Sequence, residues 1–370
     1  MVKNKLKLVL KDYKLKLLLL IIFLIPFTDT KFLPLPGEFN TDLALNLALV
    51  VTIFYVLKSF IKGKYKFVVS TPLSFLYLLM VWILIGVILN FDTILISSFK
   101  NRTGLVKFIW QGFIFLFTGF FFTNYLMSNF KKVNIFFLLK KIRFAILTSY
   151  LIVFAYSILE IIYFRTSNST LHKIITFFDT IFLLKHPIGI EERLSSIMHE
   201  PPFLAIYLVF AAPWILSYMF EKKYIIALSP LLLGFISGSR TSLLISLVQF
   251  IFFSYFFIKI RYGTLTFLKI FLVFIAMSMV YYVLNFSKSN NYVKGQIELF
   301  SKKPKSNLQI SNISRWGTQL ASYRIWKEHP IFGVGFSQQG FYLKGFYHKK
   351  DYKNSYEIRF WSDTNHPTWP

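Results

Sequence analysis

Apolar runs of roughly membrane length recur along most of the chain, and short clusters of lysine and arginine separate them. About 20 apolar residues cross the hydrocarbon layer as a helix. The pattern predicts nine spans, over residues 15–27, 41–57, 72–90, 105–127, 144–164, 203–220, 224–237, 242–258 and 265–286. The first run follows a lysine-rich start but no small-x-small cleavage site follows it, so it reads as a retained span rather than a signal peptide.

Charge sets the expected orientation. Lys3, Lys5, Lys7, Lys11, Lys14 and Lys16 hold the amino terminus in the cytoplasm, and further basic clusters at 58–66, 131–143, 222–223 and 259–261 mark the inner turns. Five spans then leave 165–202 outside. Its apolar stretch, 174–184, is too short to span and contains Asp179, so it is predicted to lie on the outer leaflet. Spans seven and eight form a tight hairpin with Arg240 at its outer tip. After the ninth span, 287–370 is expected outside despite its basic residues from Lys288 to Arg359, because long loops translocate regardless of charge. The expectation is an all-α polytopic membrane protein, with a helical bundle over 1–286, an outer interfacial segment near 165–202 and an extracytoplasmic loop region over 287–370.

Composition agrees with lipid as the solvent: 55% of the residues are hydrophobic and 45 are phenylalanine, too much apolar surface for one soluble core. A net charge of +26 raises the question of nucleic acid, but the charges punctuate spans instead of clustering on one face, so no nucleic-acid partner is expected. Cysteine is absent, and the six histidines show no metal-ligand spacing. No metal or cofactor is expected.

Candidate chemistry gathers at the outer side. Arg240, in SGSR at a hairpin tip, is either an anion site or an arginine that snorkels to headgroups. Arg193 has Glu191 and Glu192 beside it, so a local salt bridge is its plain alternative. The stretch 315–335, RWGTQLASYRIWKEHPIFGVG, combines Arg315, Arg324 and His329 with a glycine turn that reads as a surface turn. Arg315 and Arg324 are nine residues apart, two and a half helical turns, and point to different faces. Arg324 meeting Arg193 or Arg240 gives a better clamp for a diphosphate. The candidate bases are His199, Glu200, His329, His348 and His366.

Three stretches, in this order, resemble the O-antigen ligase and O-antigen polymerase superfamily. They are RLSSIMHEPPFLAIYL entering a span, SGSRTSLL in a hairpin, and YRIWKEHPIFGVGF, where Arg324 and Gly335 enclose the ten residues of an RX10G element. The resemblance implies a helical bundle with a large periplasmic loop in the inner membrane, and an inverting glycosyltransferase. Its donor is a glycan on a polyprenyl diphosphate; its acceptor is lipid A core or another glycan repeat unit. Carried over, Arg193, Arg240 and Arg324 bind the diphosphate and Glu200 gives acidic or structural support. A loop histidine is the base, either His329 or His366 in Asn365-His366-Pro367. The chain stops at Pro370, short of the family's final spans, which predicts a truncated copy. The competing readings are a transporter or flippase of lipid-linked glycan and an inactive remnant.

Overall fold

The computed structural model describes residues 2–30, 42–63, 68, 70–99, 102–131, 133–182, 184, 194–237, 240–262 and 307–347. The ninth predicted span, Arg193, His348 and His366 lie outside the described residues. The described chain is helical, apart from a two-residue antiparallel pair, β1 (Ser98–Phe99) with β2 (Arg102–Thr103). It divides into two compact units. One comprises Met1–Tyr65 and Phe122–Val273, the other Lys66–Phe121 and Phe274–Pro370.

The first unit holds α1 (Val2–Phe23), α2 (Leu43–Ile61), α6 (Phe122–Phe130), α7 (Ile135–Thr166), α8 (Ser169–Ile181), α9 (Pro201–Leu216), α10 (Tyr224–Ile236) and α11 (Arg240–Tyr262). Local chemistry starts these helices. The Asp42 carboxylate accepts the Leu45 amide at 2.9 Å ahead of α2, Asn134 accepts from Phe136 at 2.9 Å ahead of α7, and Asn168 accepts from Thr170 at 2.8 Å ahead of α8. Pro201 and Pro202 occupy the first turn of α9, where a missing amide costs nothing.

Packing centres on α7 and α9, whose Ile146, Tyr150, Val153, Leu204, Leu208 and Ile215 are buried together. Buried hydroxyls are satisfied between helices: those of Ser149 and Tyr207 meet at 2.8 Å, and Tyr150 donates to Ser229 at 2.9 Å. Many large apolar side chains point outward instead, among them Phe54, Ile61, Leu151 and Ile206, the surface expected of a lipid-facing bundle.

The second unit holds α3 (Thr71–Leu89), α4 (Phe91–Ile96), α5 (Gly104–Ile114), a π-helical turn over Phe115–Phe121, α12 (Asn307–Glu328) and α13 (Gln339–Phe346). Five described helices are long and apolar enough to cross a membrane: Leu43–Ile61, Gly104–Phe130, Ile135–Thr166, Pro201–Glu221 and Leu244–Arg261. The chain is therefore a multi-pass membrane protein. The third and seventh predicted spans are helices whose apolar parts, Leu73–Leu89 and Tyr224–Gly234, are shorter. Pro230 lies inside the latter.

Candidate functional site

Residues 194–200, LSSIMHE, form an irregular segment before α9, and the first unit holds them by hydrogen bonds from two directions. From α7, the buried carboxylate of Glu160 accepts the Ser196 amide at 2.7 Å and the Ser195 amide and hydroxyl at 3.2 and 3.3 Å. Ser196 takes a left-handed backbone, φ 56°, and its hydroxyl donates to the Val153 carbonyl at 3.0 Å. A buried carboxylate is costly without donors, and this turn supplies three.

From the end of α1, Thr28 accepts the His199 amide at 3.2 Å, and the Asp29 carboxylate lies 3.1 Å from the His199 Nδ1. Asp29 is 1% exposed while the His199 side chain is 34% exposed. Its Nε2 is 3.7 Å from Glu200, which stands exposed at the amino-terminal end of α9. From α8, Asp179 is buried and accepts the Tyr156 hydroxyl. Burial pushes the Asp179 carboxyl above the usual carboxylate range; the Tyr156 hydrogen bond and His172 pull it back, and Asp29 pushes it further up. Thr30 and Leu184 form a single antiparallel bridge that ties the same two regions.

Arg240 opens α11. Gly234 lets α10 and α11 approach closely: a Cβ added there would lie 3.2 Å from the Ser242 hydroxyl, and both Ser242 and Ser246 are fully buried.

In the second unit Arg324 sits on α12 and donates from Nη1 to the Phe346 carbonyl at 3.0 Å. Phe346 ends α13, where carbonyls lack helical partners and the dipole is negative, so part of the guanidinium is spent on a helix end. The His329 ring stands edge-on to Tyr342 with centroids 5.9 Å apart. The turn that follows is not a loose surface feature. Asn90, at the end of α3, donates to Gly86 at 2.7 Å and to Gly333 at 3.2 Å. Phe332 stacks on Trp82, Val334 is buried, and Gly335 (φ 93°) lies so close to Ile94 that a Cβ would approach it to 3.1 Å.

The two units thus divide the expected residues. Glu200 and Arg240 belong to the first; Arg324 and His329 belong to the second. Sequence reasoning missed Asp29, Glu160 and Asp179. Glu160 and Asp179 are isolated acids in apolar stretches, and that isolation was the available signal; Asp29, between Thr28 and Thr30, carried none. Among the described residues no cluster of His, Asp or Glu could hold a metal ion.

Residues 225–368, about two-fifths of the chain, match the model of the O-antigen ligase family. No curated protein and no solved structure matches the chain. The matched stretch contains Arg240, Arg324, His329, Gly335 and His366 but starts after Arg193 and Glu200. Through residues 225–368 the chain is similar to the O-antigen ligase family.

Proposed function

We propose that the protein is a membrane glycosyltransferase that moves a glycan from a polyprenyl diphosphate to a sugar hydroxyl, on lipid A core or on a growing repeat-unit chain. The observation that carries this reading is the family match, which spans the Arg240 hairpin and the Arg324-to-Gly335 element in one stretch. A diphosphate leaves readily once its charge is met by guanidinium groups, and a bidentate fork meets two oxygens of one phosphate. Arg193, Arg240 and Arg324 are the diphosphate ligands of this reading. Glu200 supports them, and a histidine, among His329, His366 and His199, takes the acceptor proton. The reaction faces the outer side of the inner membrane.

Deleting the gene and profiling surface glycans tests the reading. Loss of long chains with one unit retained marks a polymerase; loss of all attached chains marks a ligase; an unchanged profile overturns the proposal. Complementation with Arg324→Lys sharpens it. Lysine keeps a charge and one donor for the Phe346 carbonyl but loses the fork, so transfer is expected to fall about 10-fold or more while the protein still inserts.

A further inference from the structure

We propose that an apolar groove in the first unit binds one anionic phospholipid, with an acyl chain between the helices and the phosphate against Lys14 and Lys131. The groove holds about 640 Å³ and is walled by Leu18 and Ile25 in and after α1, Phe122 and Phe130 of α6, Leu138 of α7 and Trp214 of α9. All four helices belong to that unit. Among the described residues that line it Lys131 alone is charged, and it stands directly after α6. An apolar trough with a cation at one end has the polarity of a phospholipid.

The basic end is built by more than that lysine. Lys14 lies four residues before Leu18, one helical turn along the same face of α1, and its ammonium donates to the Asn129 side chain, two residues ahead of Lys131. Lys14 precedes the first apolar run; burial, and after it the Lys58 ammonium of α2, push its pKa below the usual lysine range. Lys14, Lys58 and Lys131 thus gather at one end of the groove, and a phosphate there offsets their mutual repulsion. Tyr13, beside Lys14, is exposed, as tyrosines at the headgroup level are.

Depth points to a lipid of one leaflet. From Phe122 to Phe130 α6 rises about 12 Å, against about 15 Å for half of the hydrocarbon layer. On the charge pattern the basic cluster at 131–143 marks the cytoplasmic side, so the occupant is a lipid of the inner leaflet. Glu160 and the 194–200 segment lie toward the other end of α7, so this lipid is not the glycan donor of the proposed transfer. An acyl chain in the groove covers apolar surface on four helices at once, and so stabilises the unit that holds them.

The test uses the full-length protein purified in detergent, with phosphatidylglycerol and phosphatidylcholine of identical acyl chains as probes and binding followed by native mass spectrometry. Phosphatidylglycerol is expected to bind at least about 10-fold more tightly, because each lysine near an anionic lipid contributes roughly a factor of five. Lys14→Gln combined with Lys131→Gln is expected to bring the two lipids to one affinity. Lys259→Gln, which removes a charge at the same side from α11, is expected to leave the preference intact. Lys131 is exposed, so Lys131→Gln alone, with an expected loss of about 5-fold, keeps the test decisive should loss of the Lys14–Asn129 bond unfold the protein. Glycerophosphoglycerol, the headgroup without chains, is expected not to compete. Equal affinity for the two lipids, a wild-type preference in Lys131→Gln, an equal loss in Lys259→Gln, or competition by the chainless headgroup overturns the inference.

Discussion

Residues 194–200 of the first unit and residues 329–338 of the second are both short irregular segments that carry candidate chemistry, and they are held by opposite means. The first is held by side chains: Glu160, Thr28 and Asp29 reach in from α7 and the end of α1. The second is held mainly by close approach of its backbone, with Asn90 as a neutral side-chain donor. Gly333, Gly335 and Ser337 adopt positive φ, and the turn lies on α3 so closely that a Cβ at Gly86 would come within 2.9 Å of the Phe332 carbonyl. Charge-assisted anchors leave a polar segment rigid yet chemically active. Glycine docking makes a shape and contributes no titratable group of its own.

The largest expected effect comes from removing the central anchor. Glu160→Ala strands two amides and a hydroxyl in a buried site, so a loss of about 3 kcal/mol or more is expected. Glu160→Gln keeps an acceptor oxygen and should fall between. Thermal unfolding in detergent micelles reads both. If Glu160→Ala melts with the wild type, the carboxylate does not hold the turn and the contrast between the segments collapses.

Next come the glycines. Gly335→Ala forces an L side chain into φ 93° and against Ile94, and Gly86→Ala pushes on a backbone carbonyl that cannot rotate away; each is expected to cost about 1–3 kcal/mol. Gly333→Ala is the control. Its φ is 62° with nothing within reach of an added Cβ, so only the left-handed penalty of about 1 kcal/mol remains. Equal losses at all three positions would mean that conformation alone, without close docking, holds the turn.

Much of this was legible beforehand, and the limits have physical causes. Spans show in sequence because lipid demands continuous apolar runs. The glycine turn was visible but its partner was not: Asn90 and Gly86 lie some 240 residues away, and no local period announces a tertiary contact. The anchors of 194–200 were hidden for the same reason. Nothing local marks Asp29 or Glu160 as an anchor, and only the fold brings each against the histidine segment. Arg324 shows the converse: its element was recognisable, while its hydrogen bond to a helix end was not.

A smaller effect separates buried from exposed acids at the same end of the first unit. Asp179 titrates higher in the folded protein than in the unfolded chain, because burial outweighs the Tyr156 hydrogen bond. Its contribution to stability is therefore complete below the unfolded carboxylate value, near pH 4, and is lost as pH rises through the higher folded value. Asp179→Asn mimics the protonated group and keeps an acceptor for Tyr156. The expected result is a melting temperature raised at neutral pH and little changed near pH 4; a variant destabilised equally at both would show that the ionised carboxylate is what the site needs.

The smallest effect should come from the opposite end of α7 and α9. There Arg143 pairs with Glu221, Lys223 lies 3.1 Å from the same carboxylate, and the Arg143 guanidinium covers the Tyr218 ring at 3.6 Å. By distance alone this cluster rivals the Glu160 site. Glu221 is 44% exposed, however, and water recovers most of what its removal loses, so Glu221→Ala is expected to cost about 0.2–1 kcal/mol, and less in high salt. Comparing that melt with the Glu160→Ala melt isolates burial as the variable, since both carboxylates accept several donors and only one is withdrawn from solvent. A Glu221→Ala loss as large as that of Glu160→Ala would mean that the number of donors, and not burial, sets how firmly the unit holds its segments.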